Sequence, residues 1–374
     1  MTVRPSVPTS VQASLPARAQ LSARPLFILC AIAASLCASA LGQTTLDRGI
    51  IATAAPLTDA QKAAVSTFAA SALDAIRDGT DATEMVDARW TLVTPARDPA
   101  ATAPFRKGYS AILITELTPV IKGKDLQRAV NAMQVIRFTR TSESVDVLIE
   151  RSNSASENDP GKRLAAASLL ADSFEDLDAS NAFLETAARR IRDAASTEPD
   201  WIALQQKLAA ISTAAKRKEL PPDNARNIRK AQAEAIAAVA KSIKSNTTAD
   251  ERMQALQRAL IGVRNDLLLL QQADRTAAAK TLAPAMGDLL TASSTHWEAG
   301  HNNATLAPSY AAVVNSCEVM LRLIDRSERP QAYVGAKADA DTRVLATAWE
   351  ASDKAKFDAE VKRWNAIVSA SPYK

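Results

Sequence analysis

From Val65 to Val368, apolar residues recur three and four positions apart, and no stretch alternates them at two. That period belongs to helices with one buried stripe. Composition pushes the same way. The chain has 77 alanines in 374 residues, only 10 glycines and 4% aromatics. Alanine is the best helix former and glycine among the worst, so summed propensity favours helix nearly everywhere. Strands draw on β-branched and aromatic residues. The expectation is therefore an all-α chain: a solenoid-like helical array followed by a bundle-like half of longer helices. Collagen-like, disulfide-scaffold and polytopic membrane classes are excluded.

The first 42 residues read as a secretory signal. Arg4, Arg18 and Arg24 stand without an acid, the apolar run Pro25 to Leu41 follows, and small residues lead up to Gly42. A basic region, a short apolar core and a small-residue site are its three parts. A periplasmic or secreted protein is expected; the alternative is an uncleaved anchor in the inner membrane. Removing this leader takes the net charge from +4 to +1. A near-neutral chain lacks the field that drives non-specific nucleic-acid binding. Cys30 and Cys37 leave with the leader, so Cys317 has no disulfide partner. No later stretch is long and apolar enough to span a membrane.

Residues 43–57 lack periodicity and read as a linker. Thr58 and Gln61 have capping-box spacing ahead of a helix ending at Gly79, and Thr248 and Glu251 repeat that spacing. Pro95, Pro99 and Pro104 mark 94–104 as a loop. Helices are expected at 81–94, 105–121, 125–139, 142–153 and 160–173. Pro221-Pro222 is a break, with Asp223 or Asn224 able to cap the next helix. Leu256, Leu260, Val263, Leu267 and Leu270 then step by four and three, the seam of a helix packed on a partner, expected as an antiparallel hairpin with 223–244. Pro284 is an expected kink, and the last helix spans about 340–369. A soft domain boundary at Pro221 separates 58–220 from 221–374.

Two runs inside the first region are alike. Asp125, Arg128, Ala132 and Ile136 stand 34 to 35 residues before a similar set that opens on Asp159-Pro160 and continues with Arg163, Ala165, Ala166, Leu169 and Leu170. This segment, 125–173, resembles HEAT or armadillo-type helical repeats. The resemblance implies stacked helix pairs, each burying its apolar face on the next. It also implies a surface that binds proteins, and it carries no catalytic residues.

Little catalytic equipment is visible: no Gly-rich phosphate loop, no Gly-x-Ser-x-Gly elbow and no cysteine pair for zinc. The two histidines lie together, and His296, Glu298 and His301 form the one candidate metal or acid–base set. On a helix the histidines stand about 140° apart, unlike an i, i+4 zinc pair. A helix end where His296 caps carbonyls is the competing expectation. Asp172, Glu175, Asp176 and Asp178 cluster without the spacing of a calcium loop. Trp297, Trp349, Trp364 and Tyr310 are candidates for a small-molecule pocket, weighed against a place in the core. Residues 201–244 hold nine Lys or Arg against three acids, a local net of +6. Within them Lys216, Arg217, Lys218, Arg226, Arg229 and Lys230 are the candidate surface for an anionic partner. The reading is a binding scaffold for a protein partner in the cell envelope, one of acidic surface, with no cofactor and no nucleic acid. The alternative is a metal-binding protein or enzyme centred on the histidines.

Overall fold

A computed structural model describes residues 45–333 and 343–374. The expected signal sequence and part of the loop expected at 327–337 fall outside them. Among the described residues there are sixteen α-helices, one 3-10 turn and no strand. The first half comprises α1 (Arg48–Ile51), α2 (Asp59–Asp78), α3 (Ala82–Arg97), α4 (Ala103–Lys122), α5 (Leu126–Arg137), α6 (Ser142–Ser152), α7 (Pro160–Glu175), α8 (Asn181–Ser196) and α9 (Trp201–Ala215). The second comprises α10 (Pro222–Lys244), α11 (Met253–Leu269), α12 (Gln272–Thr295), α13 (Trp297–Asn302), α14 (Ala307–Glu328), α15 (Val344–Glu350) and α16 (Lys354–Val368). The all-α expectation holds.

Local chemistry sets most helix starts. Thr58 and Gln61 form the reciprocal capping box, with the Gln61 amide donating to Thr58 Oγ1 at 3.3 Å and the Thr58 amide to Gln61 Oε1 at 2.9 Å. Asp125 accepts from the Arg128 amide, and Asp159 from Gly161 and Lys162 ahead of a helix that opens on Pro160.

From α2 to α14 most helices pack on the next but one, and many also on a neighbour in sequence. α3, α5, α7, α9 and α11 follow one another in this way, as do α2, α4, α6, α8, α10, α12 and α14. One contiguous cluster of buried apolar side chains runs from Leu46 to Tyr373, many of them alanines that let the helices approach closely. The expected hairpin of α11 with 223–244 does not form: α11 rests on α9 and α14 and only lightly on α10.

Several local expectations are corrected. The segment 43–57 is no free linker where described: it contains α1, and Leu46, Ile51 and Leu57 are buried. A backbone bond from Thr102 to Ile51 and a Thr102 hydroxyl bond to Thr53 fasten it to the start of α4. Residues 94–104 are not all loop. Pro95 lies in the last turn of α3, where its missing N–H costs one hydrogen bond and its ring is buried. Thr248 caps nothing: α11 begins later, at Met253, because Asp250 is held by Arg252 and Asn246 in the preceding turn. α10 starts at Pro222 itself, so neither Asp223 nor Asn224 caps it. The last expected helix is two, broken at Ser352 by a left-handed φ of 54°, with Asp353 capping α16.

Candidate functional site

α10 presents Arg226, Arg229, Lys230 and Ala233 along one face, at the i, i+3, i+4 and i+7 positions. The end of α11 and the first turns of α12 stand opposite. Because α11 packs only lightly on α10, a cleft of about 430 Å³ remains between them. Val263, Leu267, Leu270 and Leu282 supply its apolar wall, and Ala233, Ala277 and Ala278 leave it room. That volume lies within the range of roughly 300–1,000 Å³ typical of small-molecule sites.

The six cations expected to form an anionic-partner surface divide into different roles. Arg217 is structural, donating to the carbonyls of Phe174 and Leu177 at and beyond the end of α7 at 2.6 and 3.0 Å. Arg226 is held by Asp274 at 2.5 Å and Asp223 at 3.1 Å. Lys216 faces Asp266 and Lys230 faces Glu234, each at 3.9 Å. Lys218 is exposed, and Arg229 lines the cleft; neither forms an ion pair among the described residues. Lys280 of α12 joins Arg229 there, exposed and likewise without a carboxylate partner. The face is therefore less basic than its sequence, with free charge concentrated at the cleft.

Lys207 belongs to the same basic stretch and lies nowhere near a surface. Its side chain is wholly buried, 2.6 Å from Glu198 Oε2 and 3.2 Å from the Ala194 carbonyl. Arg163 approaches the same carboxylate at 3.2 Å. Burial works against the charge on Glu198, but Lys207, the Asp200 amide and Arg163 outweigh it and hold the carboxyl below its usual range. Lys207 is pulled down by burial, with Glu198 opposing. The sequence carried a signal for this: Lys207 sits among Leu204, Leu208 and Ile211, in the apolar register of α9.

The structure does not assemble His296, Glu298 and His301 as a ligand set. His296 is buried at the C-cap of α12, with Nδ1 3.0 Å from the Tyr310 hydroxyl and Nε2 2.9 Å from the Asn246 carbonyl. A carbonyl only accepts, so Nε2 carries the proton and Nδ1 accepts from Tyr310. The Tyr310 oxygen in turn accepts from the Asp250 amide at 2.9 Å. His301 packs against Trp297 and Trp349, ring centroids 4.1 and 4.0 Å away, and both its nitrogens face backbone carbonyls. Glu298 is exposed and accepts from Asn302. Among the described residues no three His, Cys, Asp or Glu side chains stand where they could share a metal ion.

Trp297, Trp349 and Tyr310 pack with Phe357 in a buried aromatic cluster, and Trp364 is buried apart from them under Arg363. Asp172 and Asp176 face Arg137 and Arg140 across to α5 and its end. Cys317 is fully buried, and burial pushes its thiol well above the ordinary range.

Sequence reasoning missed two polar residues of the cleft, Lys280 and Gln232. Gln232 is 3% exposed, lines the cleft, and its side-chain amide makes no hydrogen bond among the described residues. Nothing in a sequence distinguishes such a glutamine from a solvated one. Comparison with protein-family models, with curated proteins and with solved structures finds no match to this chain.

Proposed function

We propose that this chain is an exported helical scaffold that binds a protein partner in the cell envelope and carries out no reaction itself. The observation that carries the reading is an apolar ridge on α11. Ile261, Leu268 and Leu269 are 43, 56 and 85% exposed, while the opposite face of the same helix is buried. Large apolar side chains gathered on one exposed face mark interaction sites. The Lys216–Asp266 pair brings the basic end of α9, with its exposed Lys218, beside this ridge. An acidic partner with an apolar centre suits that combination.

Stacked repeats fit the even-numbered helices. Arg77–Glu116, Asp146–Arg190, Arg192–Glu234 and Lys244–Asp288 each join a helix to the next but one, across 39, 44, 42 and 44 residues. A near-constant interval of this size is what HEAT-like helix pairs would produce. The two arginines behind the resemblance differ in their work, however. Arg128 donates to the Arg77 and Gly79 carbonyls at the end of α2, whereas Arg163 holds Glu198 and the carbonyls of Glu157 and Asn158.

Export rests on the leader sequence. Among the described residues no helix is long and apolar enough to cross a membrane. The absence of catalysis is supported by engaged histidine nitrogens and an inaccessible thiol. The test is a Leu268→Asp/Leu269→Asp variant compared with wild type by affinity purification from the native host. The variant should fold normally and lose the dominant co-purifying protein. Retention of that protein at wild-type yield would refute the α11 surface.

A further inference from the structure

The cleft beside the ridge differs from it in chemistry. The ridge offers apolar side chains to solvent; the cleft leads inward between helices and combines three kinds of group. Its wall is apolar. Gln232 on α10 lines the cleft as well, with a side-chain amide that makes no hydrogen bond among the described residues. Its outer residues are cationic. Arg226, Arg229, Lys230 and Lys280 line it against two acids, Asp266 and Asp274. Asp274 is neutralised by Arg226 at 2.5 Å and Asp266 faces Lys216, which leaves Arg229 and Lys280 uncompensated. An apolar partner alone would satisfy neither the amide nor these cations. A hydrophilic anion would leave the wall of Val263, Leu267, Leu270 and Leu282 unfilled.

We propose that this cleft binds a single-chain anionic amphiphile. The acyl chain lies against the leucines, the acidic head is held by Arg229 and Lys280 with Lys230 beside them, and the Gln232 amide exchanges a hydrogen bond with the polar end of the ligand. The volume of about 430 Å³ suits one chain rather than a two-chain lipid, which would leave its second chain in water. Charge selects the head: a cationic amphiphile of equal length meets the same wall but is repelled by the mouth. This site does not depend on the scaffold reading, because it uses the inner wall of α11 and not its exposed ridge.

The experiment is calorimetric titration of the full chain with laurate, dodecanol and dodecyltrimethylammonium, all kept below aggregation. One laurate should bind per chain, with the alcohol roughly tenfold weaker and the cation weaker still. Arg229→Glu/Lys280→Glu, surface changes that spare the core, should abolish laurate binding. Gln232→Leu should weaken it several-fold. Leu269→Asp should leave laurate unaffected while impairing capture of the protein partner, so the two sites fail separately. No laurate binding, equal binding of the three amphiphiles, or loss of laurate on Leu269→Asp but not on Arg229→Glu/Lys280→Glu would overturn the proposal.

Discussion

Lys207 Nζ and Glu198 Oε2 lie 2.6 Å apart with both side chains at 0% exposure, and Arg163 shares the same carboxylate. One buried anion thus serves two buried cations. α9 carries Lys207, α7 carries Arg163, and Glu198 sits in the turn between α8 and α9, so the trio ties together three successive helices. Removing one partner of a buried pair is costly because the other charge is left without compensation. Glu198→Gln should therefore cost about 3–5 kcal/mol in urea unfolding. Lys207→Met should cost clearly less, since Arg163 still pairs with Glu198. A larger cost for Lys207→Met would contradict this assignment.

Acid should unfold the protein through the same group. Glu198 is held below its usual range by Lys207, the Asp200 amide and Arg163 against the opposing effect of burial; Asp250 is held down by Arg252 and Asn246, again against burial. In the unfolded chain both take up protons near their ordinary values, about 4. The unfolded state then binds more protons as pH falls, so stability is full at neutral pH and declines as pH drops through the folded values. Urea midpoints measured from neutral pH to about pH 3 should fall, and Glu198→Gln should flatten part of that decline. An unchanged slope in the variant would show that Glu198 plays no part in acid unfolding.

Docking of the segment before α2 is testable at Gly108. A Cβ there would come within 2.7 Å of Leu57 Cδ1, so the bare backbone of α4 is what admits Leu57 to the core. Gly108→Ala should destabilise despite the better helix propensity of alanine. In the double variant with Leu57→Ala the clash disappears, and the combined cost should be less than the sum of the single costs. Strict additivity would mean that Leu57 does not pack on α4.

Cys317 should behave as a core residue. In a chain with Cys30→Ser and Cys37→Ser, the native thiol should resist Ellman's reagent and titrate fully in denaturant, because burial both shields it and raises its pKa. Rapid labelling of the native protein would show an accessible thiol.

The features legible in the sequence were local ones. α2, α5, α6 and α7 are marked by Thr58, Asp125, Thr141 and Asp159 at their starts and by apolar steps of three and four, all within a few residues of one another. α1 and the docking of 45–57 were hidden because Leu46, Ile51 and Leu57 form no period; their burial depends on α4, some fifty residues on. The charges were misjudged for the same reason. Arg217 looks like Lys218 in sequence, yet one caps the end of α7 and the other meets solvent. The candidate cleft was half visible, through Arg229 and Lys230. Lys280 is brought in by packing of α10 against α12, and nothing in the sequence marks Gln232 of α10 as a cleft residue.

Site-specific photo-cross-linking tests most directly whether the exposed ridge of α11 holds a protein partner. The photoreactive residue is placed at Leu269 in the native host and, as a control, at exposed Ala63 on α2. One dominant adduct of a single mass is expected from position 269 and none from 63, with steep weakening as salt rises. No adduct at 269, or the same adducts from both positions, would contradict a partner held on α11.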